Sequence, residues 1–95
     1  MGEGGIIVPP KEFFKEIKKI LDQYGILLFL DEVQAGFGRS GKLFAIEHYD
    51  VEPDIMTMAK GIAAGFPLSA CIARPEIADS FRPGDHLSTF GGNPV

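Results

Sequence analysis

Ninety-five residues are enough for one small domain and too few for two. A hydrophobic content of 45% and a mean hydropathy of +0.11 place the chain among soluble globular sequences, neither disordered nor membrane-embedded. The net charge of -4 and a pI near 5.0, with Lys11, Lys15, Lys18 and Lys19 interleaved with Glu12 and Glu16, exclude a sequence-independent nucleic-acid binder.

The opening Gly2-Glu3-Gly4-Gly5 reads as loop, with Glu3 an ordinary solvated carboxylate on sequence alone. The N-terminus has no basic region and no long apolar core, so it is not a signal peptide, and cytoplasmic residence is the default expectation. Pro9 and Pro10 open a predicted helix in which Phe13, Phe14, Ile17, Ile20, Leu21 and Tyr24 recur at helical spacing, and Gly25 is placed to end it. The lysines of this segment read as its wet face. A preceding strand is missing or reduced to Ile6-Ile7-Val8.

The segment Ile26 to Leu30 is an unbroken apolar run that ends in Asp31-Glu32-Val33-Gln34. Short apolar runs bounded by glycines read as strands buried on both faces, as in a parallel sheet covered by helices. Ligands gather at the carboxyl ends of such strands, so Asp31 is expected at the edge of a crevice. A buried carboxylate there needs a cationic or N–H partner.

The next stretch, Gly36-Phe37-Gly38-Arg39-Ser40-Gly41-Lys42, satisfies the dinucleotide pattern G-x-G-x-x-G and nearly satisfies a P-loop. Leu43 stands where a P-loop needs a hydroxyl for magnesium, and Asp31 and Glu32 would repel a phosphate. A turn that requires glycine dihedrals is the better reading. A nucleotide-binding module remains the alternative, as does a non-catalytic remnant.

Further on, Leu43 to His48 reads as a short helix, Asp54 to Ala59 as a second strand closed by Lys60, and Leu68 to Ala73 as a third. The third strand follows too closely for a helical crossover and is expected to run antiparallel to the second or to bend away. Pro75 starts another short helix, from Glu76 to Phe81. Cys71, the one cysteine, lies in an apolar run and reads as core packing. His48 and His86 show no ligand spacing with it, so no metal site is expected.

Asp31 and Lys60 thus each close a predicted strand, and adjacent strands would bring them to one crevice. A lysine can hold an aldehyde cofactor as a Schiff base, and pyridoxal phosphate works as an electron sink when an aspartate keeps its ring nitrogen protonated. Gln34 is placed to reach the phenolic oxygen, and Ser88-Thr89 the phosphate. On these residues alone, a structural aspartate and a surface lysine account for the pattern equally well.

The segments Gly2-Glu3-Gly4-Gly5, Asp31 to Arg39, Pro53-Asp54-Ile55, Ala59-Lys60-Gly61 and Ser88 to Pro94 together resemble the class III pyridoxal-phosphate-dependent aminotransferases, the group of the acetylornithine, ornithine and 4-aminobutyrate enzymes. The resemblance runs the length of the chain. It implies that Lys60 is the Schiff-base lysine and the base that moves a proton between substrate and cofactor. It implies that Asp31 pairs with the pyridinium nitrogen and that Gln34 contacts the phenolic oxygen. Thr89 falls at a threonine that reaches the cofactor phosphate of the neighbouring subunit in a homodimer, and Glu3 at a glutamate that gates α-carboxylate substrates. The implied reaction transfers an amino group from an ω-amino or α-amino donor to a 2-oxo acid. Ala35 and Ser40 stand where the family more often has threonine, and Met1 where it has glutamine.

The expected fold is α/β, the three-layer α/β/α large domain of a fold-type-I enzyme with a mostly parallel sheet. Residues 1–95 would be an incomplete central part of that cofactor-binding domain, about a quarter of a family enzyme, with no second domain. The upstream phosphate loop, the aromatic that stacks on the cofactor and the downstream substrate arginine lie outside it.

Overall fold

A computed structural model describes residues 2–87, 89 and 91–94. The chain folds as a small α/β unit with a mixed three-stranded sheet. Helix α1 spans Phe13–Gln23, followed by β1 (Phe29–Asp31), β2 (Ile55–Met58), β3 (Ala70–Ala73) and α2 (Pro75–Ala78). Single 3-10 turns cover Ala45–His48 and Lys60–Ala63.

The prolines do not open α1 directly. The carbonyl of Pro10 accepts the Phe13 N–H at 3.0 Å in a turn, and the helix proper begins there. At its other end Gly25 takes φ +65°, the left-handed conformation that lets the chain leave the helix. Ile6, Ile7 and Val8 form no strand; all three are exposed and Ile6 itself sits at φ +57°.

The sheet order is β1-β2-β3. Strands β1 and β2 are parallel, with Phe29 opposite Ile55 and Asp31 opposite Thr57. Strand β3 is antiparallel to β2, Thr57 facing Cys71 and Met58 facing Ala70, as the short connection requires. The sheet is therefore mixed, with one parallel and one antiparallel pairing.

Its two faces differ sharply. Leu28, Met56 and Met58 are buried, and Met56 and Met58 pack with Ile46 against Phe14, Leu30, Phe37, Phe44, Tyr49, Val51 and Ile62. Phe14 meets Tyr49 edge-on at 4.7 Å, which ties α1 to this cluster. The opposite face is open. Phe29 is 53% exposed, and Ile26 and Leu27 before it are similarly exposed, so the expectation of a strand covered on both sides fails. The physical reason is that the chain supplies apolar cover to one face alone. Cys71 lies on the open face and is exposed, not packed in a core.

Helix α2 ends at Ala78, short of Phe81. Beyond it the Ser80 hydroxyl bonds back to the Ile77 carbonyl at 2.6 Å and the chain continues in turns.

Three elements meet at one buried carboxylate. Asp54, just before β2, accepts the Leu28 N–H at 2.7 Å, the Lys18 ammonium at 3.3 Å and the Arg74 guanidinium at 3.1 Å. It joins the helix, the approach to β1 and the end of β3. The Leu28 N–H is the main cause that holds this carboxyl below its ordinary value, and Lys18 and Arg74 add to it against the opposing effect of burial. Lys18 is raised in turn, first by its bond to Asp22 and then by Asp54.

Candidate functional site

Strand parity decides what the end of β1 presents. Successive side chains point to opposite faces, so Leu28, Leu30 and Glu32 share the packed side while Phe29 and Asp31 share the open one. Register extends the rule across the sheet and places Asp31, Thr57 and Cys71 in one row on the open face. The carboxylate expected to be buried, Asp31, is exposed; the buried one is its neighbour Glu32, 3% exposed.

Asp31 does have a donor partner. Its Oδ1 accepts the Val33 N–H at 2.9 Å, an Asx turn that fixes the carboxylate at the strand's end. Glu32 continues the ladder through its own N–H to the Thr57 carbonyl at 3.0 Å. Its Oε1 accepts the Ile46 N–H at 2.8 Å, while Oε2 is buried without a partner among the described residues.

Gln34 follows on this turn and donates from Nε2 to Glu3 Oε1 at 3.2 Å, closing the N-terminal glycine loop onto the end of β1. Glu3, Asp31, Glu32 and Gln34 line a cavity of about 810 Å³ whose apolar wall includes Phe14 and Tyr49.

Lys60 lies past the carboxyl end of β2, the strand parallel and adjacent to β1. It is exposed and in no ion pair among the described residues, and it does not line that cavity. After the extended Ala59, Lys60 turns left-handed at φ +50° and starts the 3-10 turn that Ala64 closes, also at φ +50°. The structure thus joins Glu3, Asp31 and Gln34 around one cavity and sets Lys60 at the end of the neighbouring strand. Thr89 is an exposed turn residue outside the cavity lining, and Ser88 lies outside the described residues.

The glycine loop does not lead into an α-helix; a 3-10 turn follows it. Gly38 and Gly41 take φ +88° and +89°, and the Gly41 N–H bonds the Gly38 carbonyl at 3.1 Å. Gly36 is needed for space, since a Cβ there would stand 2.8 Å from the Glu32 carbonyl oxygen and 3.3 Å from the Phe44 ring. Among the described residues no three His, Cys, Asp or Glu side chains converge as a metal site, and no helix is long and apolar enough to cross a membrane.

The sequence reading gave no structural role to two buried carboxylates, Glu32 and Asp54. Parity from Leu28 and Leu30 would have found Glu32 had one open face been assumed. Asp54 carried a signal in its place after Pro53 and before an apolar run, but its cations, Lys18 and Arg74, are remote in sequence.

The family profile described as "Aminotransferase class-III" matches residues 1–95. An acetylornithine aminotransferase of Methanopyrus kandleri is 54% identical over 94 residues, covering 99% of this chain and 24% of the relative. A leucine/methionine racemase of Thermococcus litoralis is 55% identical over 94 residues, covering 99% of this chain and 21% of the relative. Among solved structures, the ornithine aminotransferase from Toxoplasma gondii superposes with a TM-score of 0.91 at 42% identity, covering 99% of this chain and 23% of that one. The chain thus spans about a quarter of the length of the relatives it matches.

Proposed function

The chain belongs to the class-III aminotransferase family, and on that premise we propose that it forms the central part of the cofactor-binding large domain of a cytoplasmic, homodimeric aminotransferase with three α/β/α layers. The parent enzyme moves an amino group from an ω-amino or α-amino donor to a 2-oxo acid. The observation that carries this reading is the placement of Asp31 and Lys60 at the carboxyl ends of neighbouring parallel strands.

The residues present fit pyridoxal phosphate. Asp31 is a fixed, exposed carboxylate with Oδ1 anchored by a backbone N–H, which leaves Oδ2 for a pyridinium donor. Lys60 is an exposed amine in no ion pair among the described residues, as a group that must bond a carbonyl carbon requires. Bound pyridoxal phosphate supplies the electron sink that stabilises a carbanion at the substrate's Cα.

The chain's own residues do the rest. Asp31 holds the ring-nitrogen proton in place, Gln34 donates to the phenolic oxygen, and Lys60 carries the proton to and from Cα. Glu3, tied to Gln34 in this structure, gates the approach of a substrate carboxylate. Thr89 serves the phosphate of the partner subunit's cofactor.

A second reading, racemisation of an α-amino acid, is favoured by the 55% identity to a racemase. Both reactions start by removing the Cα proton and differ in where it returns. The deciding experiment uses the full-length parent, assayed with single-enantiomer amino donors in the presence and absence of a 2-oxo acid. Amino transfer that needs the oxo acid and is abolished by Lys60→Ala supports the aminotransferase. Inversion without an oxo acid supports the racemase, and either activity surviving Lys60→Ala removes the role given to Lys60.

A further inference from the structure

The glycine loop between Gly36 and Gly41 binds no phosphate in the reading above, yet its backbone is costly to form. Phe37 holds φ +58°, unusual for a bulky residue, and Lys60 holds φ +50°. Left-handed backbone at non-glycine residues costs on the order of 1 kcal/mol or more and persists where the surroundings impose it. Phe37 lies against the backbone of Gly61, the residue that follows Lys60. A Cβ built on Gly61, next to Lys60, would stand 3.0 Å from the Phe37 Cβ and within 3.6 Å of its ring.

We infer that Phe37 is a positioning residue for Lys60, braced against the backbone of Gly61 so that the loop after β1 fixes the turn after β2. The inference rests on the role proposed above for Lys60. The turn is short, a single 3-10 turn over Lys60–Ala63 whose Ile62 N–H bonds back to the Ala59 carbonyl at 3.3 Å. Glycine at position 61 lets an aromatic side chain seat directly on the main chain, and a Cβ there would press the Phe37 side chain or the turn aside by a few tenths of an ångström.

Phe37 is itself held from behind. Its ring meets that of Phe44 edge-on at 5.6 Å, and the Gly38 N–H bonds the Leu43 carbonyl at 3.3 Å to close the loop. Gly36 lets the loop lie on the Glu32 carbonyl. A continuous set of contacts therefore runs from Asp31-Glu32 through Gly36, Phe37 and Gly61 to Lys60. The glycines that imitate a nucleotide motif have a mechanical use: they allow the close approaches that set the distance between the carboxylate and the amine.

The test is reductive labelling of the 95-residue chain. Pyridoxal phosphate condenses with a lysine amine with loss of water, borohydride delivers hydride to the resulting C=N bond, and peptide mass mapping reads the label on each lysine across a pH series. The unaltered chain is expected to label Lys60 in preference to Lys11, Lys15, Lys18, Lys19 and Lys42. Phe37→Ala and Gly61→Ala are each expected to cut that preference on the order of tenfold, within the loss that about 1 Å of misplacement causes. Phe37→Tyr, which keeps the ring and the Cβ, restores it. Leu28→Ala serves as a control that destabilises the packed face away from the brace, and it is expected to keep the preference. Preference retained in Phe37→Ala, or lost equally in Leu28→Ala, overturns the brace while leaving Lys60 in its role. Even labelling of all lysines in the unaltered chain removes the role of Lys60 and the brace with it.

Discussion

Glu32 Oε1 accepts the Ile46 N–H at 2.8 Å while the second oxygen of the same carboxylate is buried with no partner among the described residues. One half of the group stitches the end of β1 to the 3-10 turn at Ala45–His48; the other half carries a desolvation cost. The two halves predict different outcomes for two substitutions. Glu32→Ala leaves the Ile46 N–H unsatisfied and is expected to destabilise by about 2–3 kcal/mol. Glu32→Gln keeps an acceptor and removes the charge, so it is expected to change stability by less than about 1 kcal/mol. Urea denaturation of both variants checks the order, and equal losses would show that the charge itself is needed.

Asp54 sets an acid limit. Its carboxyl lies below the ordinary 3.8, chiefly through the Leu28 N–H and then through Lys18 and Arg74. A group depressed in the folded state contributes stability that is present above its unfolded value and lost as pH falls through the folded one. Lys18 is raised above the ordinary 10.5 and works in the opposite sense, contributing below that value and losing its contribution as pH rises through the folded one. Stability is expected to be flat between these limits and to fall below about pH 4 and above about pH 10.5. Asp54→Ala, which strands Arg74 and the Leu28 N–H, is expected to cost about 3 kcal/mol and to flatten the acid limb. An unchanged acid limb in that variant would count against Asp54 as its source.

The glycines of the loop differ in why they are glycine, and substitution separates the reasons. Gly36→Ala places a methyl 2.8 Å from a carbonyl oxygen that cannot swing away. Gly41→Ala meets nothing within 4 Å and is opposed by its φ of +89° alone. The expected losses are about 2–3 kcal/mol for Gly36 and about 1 kcal/mol for Gly41. Thermal melts that rank them the other way would refute the assignment.

The isolated 95 residues are expected to show no appreciable amino transfer. Productive chemistry needs the cofactor ring held at a fixed angle and the substrate carboxylate clamped, and about 1 Å of misplacement can cost on the order of a hundredfold. The chain spans about a quarter of its relatives' length. It carries the residues proposed to act, Asp31, Gln34 and Lys60, and most of the length of those relatives lies outside it. An assay of oxo-acid-dependent turnover with pyridoxal phosphate and candidate donors is the check, and a rate within about tenfold of a full-length relative would contradict it.

Much of the architecture was legible in the residues. Helical spacing from Phe13, the glycine at position 25, three apolar runs and a connection too short for a crossover yielded the helix, the strands and the antiparallel sense of β3. What misled was the assumption that an unbroken apolar run is covered on both faces. With one face open, parity exchanges the environments of Asp31 and Glu32 and brings Cys71 to the surface. The Asp54 centre depends on Lys18 from α1 and Arg74 after β3 reaching one carboxylate, and the brace on Gly61 depends on the close approach of the Phe37 Cβ to its backbone. Neither has a periodicity, so neither leaves a trace in pattern alone.

The pairing scheme also sets an order in time. β2 and β3 close a short antiparallel connection, from Met58 to Ala70, whereas the parallel partners Phe29 and Ile55 are joined through the whole glycine loop and the turn beyond it. Closing the longer loop costs more entropy before any contact repays it, so β1 is expected to join last. The crevice end of β1, with Asp31, would then be among the last parts of the sheet to form during folding and the first lost on unfolding. Truncations at Ile72 should slow folding, and truncations at Leu28 should mainly speed unfolding.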